Sequence, residues 1–111
     1  MRTGKRIGLA GNSKATAQCI ELLTDELIDV VPLHLTTPRG VHGFADLDAI
    51  IVDATESPAD IAGRAPLNFI RGLRASHRGT AAAVILLVGD SSLETRIAAA
   101  HAGADLILAV P

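Results

Sequence analysis

Ala82 to Val88 is an unbroken apolar run, Ala-Ala-Val-Ile-Leu-Leu-Val. A strand with one face in water alternates apolar and polar side chains. A strand without alternation needs cover on both faces. In a chain of 111 residues, that cover is most simply supplied by helices on either side of a parallel sheet. The rest of the chain has the parts such a sheet requires. Ala49-Ile50-Ile51-Val52 is a further apolar run, closed by Asp53. Arg6 to Ala10, Val30 to Leu35 and Asp105 to Val110 read as strands as well. Pro32 places its strand at an edge, because proline cannot donate a ladder bond.

Helical signals separate these strands. Lys14 to about Leu27 carries Thr16, Ile20, Leu23 and Leu27 at inward spacing, with Lys14, Glu21 and Asp25 toward water. Asn12 or Ser13 can cap it. Ser57 and Pro58 form a helix start. Pro66 breaks or restarts that helix, and Leu67 to Ser76 continues it with Ile70 and Leu73 inward. Ser91 or Ser92 caps a helix to about His101, ended by Gly103. Thr36 to Asp48 is turn-rich, with Pro38, Gly40 and Gly43, and has room only for a short turn around Phe44 to Leu47. Strands alternating with helices predict one α/β domain with right-handed crossovers.

Composition narrows the function classes. Apolar residues make up 49% of the chain, enough for a real core. No stretch has the roughly 18 apolar residues of a membrane span, and the first residues show no signal-peptide pattern. Net charge is −2, and the only aromatics are Phe44 and Phe69. Neither charge nor stacking surface favours nucleic acid. The single Cys19 rules out an intramolecular disulfide and fits a reducing compartment.

Ligands of such sheets gather at the carboxyl ends of the strands. Those ends are Gly11 to Ser13, Asp53 to Glu56, Val88 to Ser91, and Val110. Asp53 is the lone carboxylate closing a strand. Glu56 and Asp90 could join it in an acidic cluster or could be solvated loop residues. Asp53 itself is open to a chemical role or to loop and cap hydrogen bonding. Other chemistry is poorly supported. Gly8 to Lys14 fits neither phosphate-loop pattern. His34, His42, His77 and His101 lack ligand spacing for zinc. Ser91 and Ser92 have no nucleophile-elbow frame. Arg64, Arg71, Arg74, His77 and Arg78 form a basic stripe, read first as a solvated helix face and otherwise as a dock for an acidic partner.

The segment Ala102-Gly103-Ala104-Asp105-Leu106-Ile107-Leu108-Ala109-Val110-Pro111 resembles the stretch of a bacterial response-regulator receiver domain that ends in Lys-Pro. Asp53 aligns with that family's phosphoacceptor. The resemblance runs through nearly every element. It implies a flavodoxin-like (CheY-like) doubly wound sheet of five parallel strands, order 2-1-3-4-5. The second helix is expected to be reduced and the fifth, which would follow Pro111, to be absent. The domain is expected to span 1–111 as the N-terminal part of a longer regulator.

The same alignment also shows departures. The family's Mg²⁺-holding acidic pair falls on Gly11 and Asn12. Its Thr or Ser falls on Val88, its Lys on Val110, and its Pro is displaced to Pro58. In the family the acids hold a hard cation, and cation and lysine neutralise charge on the transferred phosphoryl group. The resemblance therefore implies a degenerate, pseudo-receiver site without catalysis, cofactor or Mg²⁺. The expected function is phosphorylation-independent protein interaction in two-component or phosphorelay signalling, in the cytoplasm and away from membranes. The expected partner is a protein or an output domain of the same chain. Homo-oligomers are also expected, with Arg96, Ile97, His101 and Leu108 as surface candidates. Two alternatives stand beside this: a functional phosphoacceptor using Asp53, and a small-ligand or nucleotide binder at the strand ends.

Overall fold

The computed structural model describes residues 5–11, 14–26, 28–33, 47–55, 65–75, 82–89 and 92–110. The elements are β1 (Arg6–Ala10), α1 (Lys14–Asp25), β2 (Asp29–Leu33), β3 (Ala49–Ala54), α2 (Ala65–Ala75), β4 (Ala83–Val88), α3 (Leu93–Ala102) and β5 (Leu106–Ala109). They form one five-stranded sheet of order β2-β1-β3-β4-β5, and every pairing is parallel. This is the expected order. Pro32 lies on an edge strand and is exposed, the setting in which strands tolerate proline. The reduced second helix, the helix start at Ser57 and Pro58, and Asn12 fall outside the described residues.

Strand register sorts the side chains into two faces. Ile50, Val52 and Ala54 of β3 join Val84, Leu86 and Val88 of β4 in the main core. Leu67, Phe69, Ile70 and Leu73 of α2 and Ala99 and Ala102 of α3 close over them. Side chains of opposite parity face α1: Leu9, Ile51, Asp53, Ile85 and Leu87. Both faces of β3 and β4 are therefore used, which accounts for their unbroken apolar runs.

Local signals explain the helix ends. Pro66 lies in the first turn of α2, where a missing N–H costs little, so it starts this helix. Ser92 caps α3: its Oγ accepts from the Thr95 N–H at 3.3 Å. Gly103 ends α3 at φ 113°, a left-handed cap whose N–H meets the Ala99 and Ala100 carbonyls.

One inward assignment differs. Ile20 is 41% exposed, whereas Thr16 is buried and Cys19 and Leu23 are half-buried. Thr16, Cys19 and Leu23 share a stripe at i, i+3, i+7, and that stripe faces the sheet. Spacing alone allowed either neighbouring stripe. Packing of α1 on the sheet turns Cys19 inward and leaves Ile20 toward water.

Candidate functional site

Asp53 is next to last in β3, at the carboxyl end of the sheet, and only 6% exposed. Its neighbour across the ladder is Leu87. A buried carboxylate needs charge or hydrogen-bond partners. Asp53 has hydroxyl and amide donors. Thr16 Oγ1, from the first turn of α1, donates to Oδ2. Thr55 donates twice to Oδ1, from its N–H at 2.9 Å and from its Oγ1 at 2.7 Å. The Thr55 pair is a local turn of the kind Asp makes with the residue two positions on. The Thr16 bond is tertiary and ties α1 to β3.

Gly11 closes the site on the β1 side. Its φ is 143°, a backbone state that L side chains rarely adopt. A Cβ there would lie 2.6 Å from Asp53 Cβ and 2.9 Å from Thr16 Oγ1. The β1 end approaches the carboxylate more closely than any side chain at residue 11 would allow.

Cys19 lies one turn beyond Thr16. Burial, and secondarily the Asp53 carboxylate, push its thiol pKa up. The thiol therefore stays protonated at neutral pH and is a poor nucleophile. Val88 is buried in the core, and Val110 is half-buried with its N–H donating to the Val88 carbonyl at 2.8 Å. Asn12, Glu56 and Asp90 lie outside the described residues. Among the described residues, no three His, Cys, Asp or Glu side chains group as a metal site would require.

The surface candidates do not share one face. Arg96, Ile97 and His101 are exposed on α3, with Leu93 one turn before Ile97. Leu108 is 45% exposed but belongs to the α1 side of the sheet. It pairs with Leu87, while its neighbour Ile107 packs against the core beneath α2 and α3. Leu106, 49% exposed, shares the Leu108 side.

Sequence reasoning missed two sets of residues. Thr16 was visible as a polar residue in an otherwise apolar inward series, but nothing local named Asp53 as its partner. Arg74 belongs to the basic stripe in sequence, yet it is a half-buried clamp. Its Nε donates to the Gly103 carbonyl at 2.9 Å and one terminal nitrogen donates to the Ala82 carbonyl at 3.0 Å. The other meets Asp105 Oδ2 at 2.5 Å. Asp105 Oδ2 also accepts from the Val84 N–H at 2.8 Å. That bond first, and Arg74 beside it, hold the Asp105 carboxyl below its usual range against some opposing burial. Arg71 is exposed and donates to Asn68. Arg64, His77 and Arg78 are outside the described residues.

No protein-family model matches this sequence, and no curated protein matches it. Solved structures do. The chain is similar to the chemotaxis protein CheY4 of Vibrio cholerae, with TM-score 0.72 and 18% identity over 96% of this chain and 87% of that one. It is similar to the receiver domain of a sensor histidine kinase from Pseudomonas aeruginosa, solved with a magnesium ion in its active-site cleft. There the TM-score is 0.70 and the identity 22%, over 98% of this chain and 87% of that one. A protein assigned to pilus assembly in Burkholderia thailandensis gives TM-score 0.74 and 21% identity, over 96% of this chain and 86% of that one. Identities this low establish the fold: the chain has the receiver-domain, CheY-like fold.

Proposed function

We propose that this chain is a receiver-fold docking module that acts through a constitutive protein-binding surface, without accepting a phosphoryl group on Asp53. The observation that carries this reading is the occupancy of the Asp53 carboxylate. Both of its oxygens accept hydrogen bonds from Thr16 and Thr55, and Gly11 packs against its Cβ. A phosphoacceptor needs an oxygen free for in-line attack and a cation to neutralise the transferred group. On this reading the domain is not an enzyme and holds no cofactor. It works in two-component or phosphorelay signalling in the bacterial cytoplasm, and docks to a protein partner or an output domain of the same chain. The net charge of −2 gives no attraction to nucleic acid. No helix among the described residues is long and apolar enough to cross a membrane. Self-association is part of the same reading and rests on the exposed aliphatic side chains of α3 and β5.

The test is acetyl phosphate with Mg²⁺, read by intact mass, beside Asp53→Asn in partner binding. The expected outcome is an unmodified chain and a complex that survives the substitution. Stoichiometric labelling of Asp53, lost in Asp53→Asn, would support the phosphoacceptor alternative instead. A specific stabilising hit in a thermal-shift screen of nucleotides and small anions would favour the ligand-binding one.

A further inference from the structure

The receiver fold raises the question of Mg²⁺ at the strand ends, and the described residues do not fit it. Mg²⁺ takes near-octahedral oxygen ligands and is usually held by carboxylates. Residue 11, where the resemblance places one such carboxylate, is a glycine whose Cβ position lies 2.6 Å from Asp53 Cβ. An acid there would need a different backbone and a displaced Asp53. The Asp53 oxygens are already turned to hydroxyl donors on two sides.

We propose that Thr16 and Thr55 take the cation's place as partners of the Asp53 carboxylate. Asp53 then serves as a fixed strut between α1 and β3, and α1 is the element that responds to its state. Three observations support this. The carboxylate is buried, so its partners are needed for the fold. Thr16 lies 37 positions away in sequence, so its bond joins separate elements. Val88, the position where the resemblance places a hydroxyl after β4, is an aliphatic core residue. The hydroxyls that meet Asp53 thus come from α1 and from the residue after β3, not from the end of β4. A change at Asp53 therefore acts first on the start of α1, not on β4, α3 and β5.

This inference rests on the docking reading, and its test separates the two. Thr16→Val keeps the shape of the side chain and removes the hydroxyl, whereas Thr16→Ser keeps the hydroxyl. Thr16→Val should lower Tm by about 5–10 °C, the scale of a buried hydrogen bond to a charged group in a domain of this size. Thr16→Ser should recover most of that loss. Combining Thr16→Val with Asp53→Asn should cost clearly less than the sum of the two, because the groups serve each other. Hydrogen exchange should quicken about tenfold or more at α1 amides in Thr16→Val and Asp53→Asn, with α3 and β5 unchanged. Should Thr16→Val fail to fold, the α1 exchange response of Asp53→Asn carries the test, because Thr55 makes only a local turn with Asp53. Additive losses, a Thr16→Ser as poor as Thr16→Val, or an exchange response centred on α3 and β5 would overturn the strut. If Asp53 were labelled by acetyl phosphate while the coupling held, only the docking reading would fall. Additive losses in a chain that stays unlabelled would remove only the strut.

Discussion

At Gly11 the need for glycine comes from two independent causes, backbone and space. Its φ of 143° is costly for any L side chain, and a Cβ would overlap Asp53 and Thr16. Gly11→Ala is expected to destabilise by roughly 2 kcal/mol or more, read by urea denaturation. A variant as stable as the parent would show that the β1 end relaxes freely. Asp105 offers a pH test. Its folded pKa is lowered from 3.8, so the ionised form is the one that favours the fold. That contribution is complete above the unfolded pKa, near pH 4, and is lost as pH falls through the folded value. Asp105→Asn should therefore lower Tm at neutral pH and lose less of it on acidification below about pH 4. Parallel acid limbs for the two proteins would remove Asp105 from the account.

Among the helices, α2 contributes the most to the core. Leu67, Phe69, Ile70 and Leu73 are all buried on its inward side. Phe69→Ala is expected to cost about 3–5 kcal/mol, measured by chemical denaturation, because truncating so large a buried ring leaves a cavity in the core. A loss under about 1 kcal/mol would mean that the helix repacks or contributes little. At its far end, Arg74 joins α2 to the start of β4, the end of α3 and the start of β5 through its three donors. The Gly103-Ala104-Asp105 stretch therefore has a structural reason for each end. Gly103 supplies the left-handed cap and leaves room for Arg74, whose Cγ would lie 2.6 Å from a Cβ there. Asp105 receives the guanidinium and starts the β4–β5 ladder.

At the scale of the whole molecule, the exposed aliphatics of α3 and β5 lie on opposite sides of the sheet, with Ile20 and Leu22 exposed on α1 as well. Leu93 and Ile97 lie on the outer face of α3. Leu106 and Leu108 lie on the α1 side of β5, in one row with Ile85 and Leu87. At about 25 cal/mol per Å², covering roughly 300 Å² of such surface is worth several kcal/mol before the entropy of association. Concentration-dependent self-association is therefore expected, measured by light scattering across a dilution series. Leu108→Glu should abolish it and Ile97→Glu should leave it if the sheet side is the contact. The reverse pattern would move the contact to α3, and a monomer at high micromolar concentration would remove self-association from the proposal.

Periodicity and punctuation determined much of this molecule before any contact was considered. Unbroken apolar runs marked β3 and β4 as covered on both faces. Pro32 marked the edge, Ser92 and Gly103 marked the ends of α3, and Asp53 was placed at the end of its strand. These are local signals, set by φ preferences, missing donors and the spacing of apolar side chains. The partners of the polar groups were decided only by the tertiary structure. Thr16 and Asp53 are 37 positions apart, and Arg74 and Asp105 are 31 apart. No period links either pair, and each bond exists only because α1 and α2 settle on particular strands. The same holds for the surface. Ile97 and Leu108 are both exposed aliphatics, but strand parity sends Leu108 to the side away from α3. A sequence shows which residues share a face, and packing decides what that face meets.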